Sequence, residues 1–162
     1  MRITLTKFGL SNFDDYLSLV SDAKVMAMIT ERAIPPDEAA RDYKRIIEIN
    51  ARHPALGQFR VLDEHGQFIG LGKLEVETSD ADSAELGYML MPEYWGKGIA
   101  TQIATQLVEQ AEQQPSLRSL FAIIDPANIP SRKILINLGF VSREFKDFDG
   151  LPGEVLERNI ER

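Results

Sequence analysis

The apolar positions change period twice within the first third of the chain. Ile3, Leu5 and Lys7 alternate with Thr4, Thr6 and Phe8, which predicts a strand over about 2–8. Behind Ser11, a residue type that caps helices, Phe13, Tyr16, Leu17 and Val20 recur at helical spacing. No period persists from Asp22 to Pro36; Met26, Met28 and Ile29 are scattered, and Pro35-Pro36 interrupts any helix. A second helix is predicted over about 37–51, with Ala39, Tyr43, Ile46 and Ile47 on one side.

In the middle of the chain, Phe59 and Val61 face Phe68, Ile69 and Leu71 across Asp63-Glu64-His65-Gly66, a hairpin pattern. Ser83 to Met91 predicts a further strand. Ile99, Ile103, Leu107, Val108 and Ala111 form the apolar stripe of a helix that ends near Gln114-Pro115, with Gln102, Gln106, Glu109 and Glu112 opposite. Leu117 to Ile124 is nearly all apolar, as in a strand buried on both faces. A helix over about 129–138 stops at Gly139. Two last strands follow near 140–147 and 153–161, joined by residues 147–153. The order is strand, two helices, three strands, helix, strand, helix, two strands. It predicts a single α+β domain over 1–162 built on a mixed sheet.

Composition narrows the chemistry. The 162 residues contain no cysteine, which removes disulfides, thiolate metal sites and a cysteine nucleophile together. The N-terminal strand pattern lacks the apolar core of a signal peptide, and no run reaches the ~18 apolar residues of a membrane span, so a soluble cytoplasmic protein is expected. A net charge of −7 argues against a nucleic-acid backbone as ligand and suits a cationic amine. His53 and His65 have no partner at metal-ligand spacing, and Asp63, Asp80 and Asp82 read as solvated loop charges, so no metal is expected.

The informative segment is Pro92-Glu93-Tyr94-Trp95-Gly96-Lys97-Gly98-Ile99-Ala100-Thr101, between a predicted strand and a predicted helix. Its glycines permit a tight turn and close approach of a ligand. The first amides of the next helix lack intrahelical partners and suit a phosphate. Taken alone, the segment is either such an anion site or an ordinary strand-to-helix turn. It is not a P-loop, and Thr101 stands where a dinucleotide fingerprint needs its third glycine.

This segment resembles the cofactor signature of the GNAT N-acetyltransferases, Arg/Gln-x-x-Gly-x-Gly/Ala: Gly98 and Ala100 match its last positions, and Trp95 stands at its first. Glu85 to Thr101 as a whole is similar to the RimJ/RimL-type branch, which acetylates ribosomal-protein N-termini. Asn128-Ile-Pro-Ser131-Arg-Lys-Ile-Leu135-Ile-Asn-Leu-Gly139-Phe140 is similar to the family's second motif, with Leu135 where a Tyr is usual.

The resemblance implies a mixed, mostly antiparallel sheet of about seven strands with about four helices, splayed between strands 4 and 5. It implies acetyl-CoA as co-substrate, with the backbone at Met89, Leu90 and Met91 along the pantetheine arm. The amides of Trp95, Gly96, Lys97, Gly98, Ile99, Ala100 and Thr101 would hold the pyrophosphate. Asn128 would bond the cofactor arm, cap its helix, or do both. Amides near Met89 and Leu90 would polarise the thioester, and Tyr88 would be core or else a wall of the cleft. Leu135 removes the family's usual proton donor, so Ser131, one turn earlier, is the candidate to stabilise or protonate the thiolate. Its alternative is a small residue of the first helical turn. Glu85 is the general-base candidate, or else a solvated strand-end carboxylate.

Substrate recognition is expected on residues 22–36, where Met28 and Ile29 with Met26 offer an apolar wall beside Glu85, and on the 147–153 connection. There Asp147, Asp149 and Glu154 would attract an ammonium or simply form a solvated tip. The implied activity is acetyl transfer from acetyl-CoA to a primary amine by direct attack in a ternary complex; the alternative is a non-catalytic acyl-CoA sensor. A homodimer is compatible with the resemblance; nucleic acid and membrane are not expected partners.

Overall fold

A computed structural model of the chain describes residues 1–161. Seven strands form one sheet: β1 (Thr4–Lys7), β2 (Gly57–Leu62), β3 (Phe68–Glu75), β4 (Ser83–Leu90), β5 (Ser119–Ile124), β6 (Val141–Phe148) and β7 (Leu151–Asn159), in the spatial order β1-β2-β3-β4-β5-β7-β6. Every neighbouring pair is antiparallel except β4 and β5. The α-helices are α1 (Phe13–Val20), α2 (Ala23–Met26), α3 (Pro36–Ala51), α4 (Ile99–Glu112) and α5 (Ile129–Asn137). The expected mixed, mostly antiparallel sheet is therefore present, with the short α2 added.

Two apolar clusters sandwich the sheet. Ile99, Ile103, Leu107 and Ala111 of α4 and Leu135 of α5 pack with Val61, Leu86, Leu120 and Leu156 on one face. Tyr16 and Leu19 of α1, Val25 and Met26 of α2, and Ala39, Tyr43 and Ile46 of α3 pack with Phe8 and Leu71 on the other. Gly72 sets how closely α4 approaches: a Cβ there would lie 3.2 Å from Ile103 Cγ2 and 3.4 Å from a Leu107 methyl. Tyr43 also ties α3 to the N-terminal segment through a hydrogen bond from its hydroxyl to the Gly9 carbonyl.

Five expectations are corrected. Ser11 caps nothing. It lies in a 3-10 turn, Leu10–Asn12, and it is Asn12 Oδ1 that accepts from Gly9 N–H at 2.9 Å. The unassigned stretch after Asp22 holds α2, whose start Asp22 caps by accepting from Lys24 and Val25 amides. Asp63 is not solvated: it is buried, and its carboxylate accepts from the His65 and Gln67 amides at 2.9 Å each, closing the β2–β3 turn. β5 fully buries only one face, that of Leu120 and Ala122; on the other, Phe121 is half-buried and Ile123 is 37% exposed. The last hairpin is also tighter than expected. Asp149 and Gly150, at φ 52° and 90°, turn the chain directly from Phe148 to Leu151.

Candidate active site at the strand fork

The parallel β4–β5 ladder is short. Ser83, Ala84 and Glu85 pair with Ser119, Leu120 and Phe121, after which no pair joins the two strands. β5 continues alongside β7 up to Ile124↔Glu154, and β4 continues alongside β3 up to Leu90↔Gly70. The sheet therefore opens into a fork whose walls are Leu86–Leu90 and Ala122–Ile124.

Two hydrogen bonds establish which way each β4 residue faces. The Asp82 carbonyl accepts from the Arg118 amide at 2.7 Å on the β5 side, and the Met91 amide donates to the Ile69 carbonyl at 2.9 Å on the β3 side. Main-chain groups two residues apart point the same way along a strand. The amides of Leu86, Tyr88 and Leu90 thus face the fork. Met89, opposite Leu71, turns its amide to β3, and its side chain packs against the α1–α3 cluster. Of the expected pair, only Leu90 presents its N–H to the opening. Its carbonyl is already occupied, accepting from Trp95 Nε1 at 2.8 Å. That bond anchors the glycine loop to the end of β4, so Trp95 braces the loop where Arg or Gln would stand.

Beyond the fork, the chain passes through a 3-10 turn, Pro92–Tyr94, and reaches α4 through Gly96 at φ 72° and Gly98 at φ 78°, ψ 5°. The left-handed conformation costs a side-chain-bearing residue roughly 1–2 kcal/mol, which glycine avoids. Gly98 is the N-cap of α4, and no side chain caps this end. Neither glycine would bring a Cβ within 4 Å of any other group, so the space above the loop is open. The expected row of open amides loses its first member, because the Trp95 amide donates to the Pro92 carbonyl at 3.1 Å, but those of Gly96, Lys97, Gly98, Ile99, Ala100 and Thr101 have no acceptor among the described residues. Six open donors at the positive end of a 14-residue helix are an arrangement suited to an anion. Lys97 Nζ lies over the Tyr94 ring, 5.8 Å from its centre.

On the other lip of the fork, Asn128 caps α5: its Oδ1 accepts from the Ser131 amide at 3.3 Å. The helix-cap reading of Asn128 is therefore correct. Arg132 fixes the same turn from below, with Nε 3.1 Å from each oxygen of Glu154. Glu154 is fully buried, so the expectation of a carboxylate at the hairpin tip is wrong for this residue. It lies between Ile124 of β5 and Phe145 of β6. Leu135 is buried in the main cluster, away from solvent.

Glu85, the last β4 residue paired with β5, forms an ion pair with Lys73 of β3 at 3.1 Å, both side chains about three-quarters buried. Both project on the α1–α3 side, since side chains alternate and Met89 lies on that face. Tyr88 projects the opposite way, against the α4–α5 cluster. Its hydroxyl is buried and, although Ser131 comes close enough to oppose the effect, burial raises its pKa above the ordinary phenol value. No hydrogen bond of sound geometry closes between the two side chains. Met28 and Ile29 are exposed in the loop after α2. An open depression of about 750 Å³, lined by Asp22, Ala23, Lys24, Pro92 and Glu93, separates the start of α2 from the turn before the glycine loop.

The structure thus brings Trp95–Thr101, Leu90, Asn128, Ser131 and Glu85 to one fork, with Met28 and Ile29 farther out. Sequence reasoning missed Lys73, a lone cation in an apolar strand, and the Arg132–Glu154 pair, whose acid looked like a loop charge. Among the described residues, no group of three or more His, Cys, Asp or Glu could hold a metal ion, and no helix is long and apolar enough to cross a membrane.

Residues 2–141 match the family model described as Acetyltransferase (GNAT) domain. A relative from Bacillus licheniformis, "Uncharacterized N-acetyltransferase p20", is 25% identical over 158 residues, spanning 96% of this chain and 89% of that protein. Among solved structures, RimL, the ribosomal L7/L12 alpha-N-protein acetyltransferase in complex with coenzyme A, superposes with a TM-score of 0.81 at 15% identity, covering 98% of this chain and 94% of that one. Spermidine N-acetyltransferase from Vibrio cholerae, in complex with CoA and spermine, gives 0.80 at 20% identity, covering 98% and 95%. With the family model spanning most of its length and the forked sheet in place, the chain belongs to the GNAT acetyltransferase family.

Proposed function

We propose that the chain transfers an acetyl group from acetyl-CoA to a primary amine by direct attack within a ternary complex. The observation that carries this reading is the row of six open amides, Gly96 to Thr101, placed where β4 and β5 part. Acetyl-CoA would supply an activated acyl carbon, and its diphosphate fits the donors at the start of α4. The fork-facing amide of Leu90 borders the course of the pantetheine arm, Asn128 meets it from the other lip, and a fork-facing amide nearer Glu85, that of Leu86 or Tyr88, polarises the thioester carbonyl.

The two faces of the fork suit different halves of the reaction. Glu85 lies on the α1–α3 face, where it accepts a proton from the attacking nitrogen, directly or through water. Ser131 lies on the α4–α5 face and attends the departing sulfur. Met28 and Ile29 form an outer wall for the acceptor. RimL acts on a protein and the Vibrio cholerae relative on spermidine, so the acceptor class to test spans peptide N-termini, polyamines and small amines.

Thiol release from acetyl-CoA across such a panel tests the reading: turnover with at least one amine class is expected. Glu85→Gln should lower kcat by about a hundredfold or more, with CoA affinity unchanged. Unchanged turnover rejects Glu85 as the base. The buried Leu135 in place of the family's Tyr favours a second reading, a CoA-binding sensor; tight CoA binding without turnover on any amine would select it.

A further inference from the structure

The Tyr88 phenol is the one buried hydroxyl at the fork that the reading above does not use. Its oxygen is shielded from solvent and has no hydrogen-bond partner among the described residues. A buried donor without an acceptor is a net cost to the fold, so its persistence requires another explanation. The residue belongs to β4 three positions past Glu85, the last residue paired with β5. Its ring packs against the α4–α5 cluster, and its hydroxyl lies near Ser131 on the opposite lip. The ring therefore spans toward the place where the two lips of the fork face each other, and the hydroxyl is an unspent donor there. Leu135, buried and apolar, offers no competing hydroxyl from α5.

We propose that Tyr88 is a catalytic residue: its hydroxyl donates a hydrogen bond to the sulfur of the thioester and holds the thiolate as it leaves. The inference rests on acetyl transfer being the activity. Nitrogen attacks the acyl carbon, the N–C bond forms and the C–S bond breaks with its electron pair remaining on sulfur. The amide nitrogen gives up one proton to Glu85 or water, and sulfur gains one from solvent as free CoA departs. The phenol keeps its own proton throughout. Burial holds that proton more tightly than an ordinary phenol does, and far more tightly than a thiol of pKa about 8.5, so Tyr88 acts as a fixed donor and does not itself titrate. Ser131 flanks it as the second hydroxyl.

The test compares CoA with desulfo-CoA, which lacks the sulfur, in wild type and Tyr88→Phe. Phe keeps the ring, and loss of an unpaired buried hydroxyl is close to neutral for stability, which a melting curve of the free protein checks. Wild type should prefer CoA over desulfo-CoA, and the preference should widen about tenfold from pH 7 to pH 9 as the thiol becomes thiolate. Tyr88→Phe should lose that widening and lower kcat by about ten- to a hundredfold at every pH, leaving the shape of the profile and the affinity for desulfo-CoA unchanged. Wild-type turnover matched by Tyr88→Phe, or a widening of the sulfur preference with pH that persists in Tyr88→Phe or is missing in wild type, overturns the role of Tyr88 while acetyl transfer stands. Failure of wild type to bind CoA or to turn over any amine removes the activity and Tyr88's role together.

Discussion

The two helices that flank the fork begin in opposite ways. Each faces the same local problem, because the first four amides of an α-helix have no partner within it. At α5 the sequence solves it: Asn128 accepts from the Ser131 amide, and a proline in the first turn has no N–H to satisfy. At α4 it does not. Gly98 enters in the left-handed conformation with no capping side chain, and the amides from Gly96 onward stay open. A capping side chain contributes about 0.5–2 kcal/mol, so α4 forgoes stability that α5 takes. α4 is nevertheless the longer helix, buried along Ile99, Ile103, Leu107 and Ala111, and its packing holds it without a cap. A helix end left open on a well-packed helix suits an anionic ligand in the place of a cap.

Giving α4 the kind of start that α5 has should produce the largest effect. Gly98→Asp places a capping carboxylate where the diphosphate belongs. It should lower CoA affinity by about a hundredfold in a calorimetric titration, through loss of charge-assisted hydrogen bonds and like-charge repulsion. The melting temperature should move by only a few degrees, because Asp tolerates the left-handed conformation and its cap offsets the strain. Retained affinity would mean that the open amides serve no ligand.

Ser131→Ala examines the capped side. Turnover should fall about tenfold while CoA affinity holds, if the hydroxyl attends the sulfur. Equal loss in both quantities would make Ser131 a structural part of the first turn. Asn128→Ala should produce the smallest change in function. Losing the cap costs about 0.5–2 kcal/mol, a drop of roughly 1–8 °C in melting temperature for a chain of this size, with only a severalfold loss of CoA affinity. A variant with unchanged melting behaviour would show that α5 does not need its cap, and the contrast between the helices would lose its meaning.

Much of this was legible in the sequence. The stripe of α4, the alternation of β4 and the glycines between them carry strong local signals, since periodicity and positive φ are each tied to residue type. The parallel pairing that opens the fork was legible only through family resemblance, because strand order is set by contacts far apart in sequence. Four residues of α2 are too few for a period to show, although Asp22 was a usable cap signal. Glu154 and Asp63 were misread for one reason: a carboxylate in a turn-rich stretch looks solvated until its partner is known, and those partners are Arg132 in one case and the main chain in the other. Tyr88 was assigned to the core correctly for its ring, but sequence does not show that the hydroxyl lacks an acceptor.

Amide hydrogen exchange of residues 96–101, measured with and without saturating CoA, tests the central claim most directly. The account predicts heat on titration and at least about tenfold slower exchange at these six amides, with the capped start of α5 changing less. Binding that leaves the exchange of Gly96 to Thr101 unaltered, or no binding at all, would contradict it.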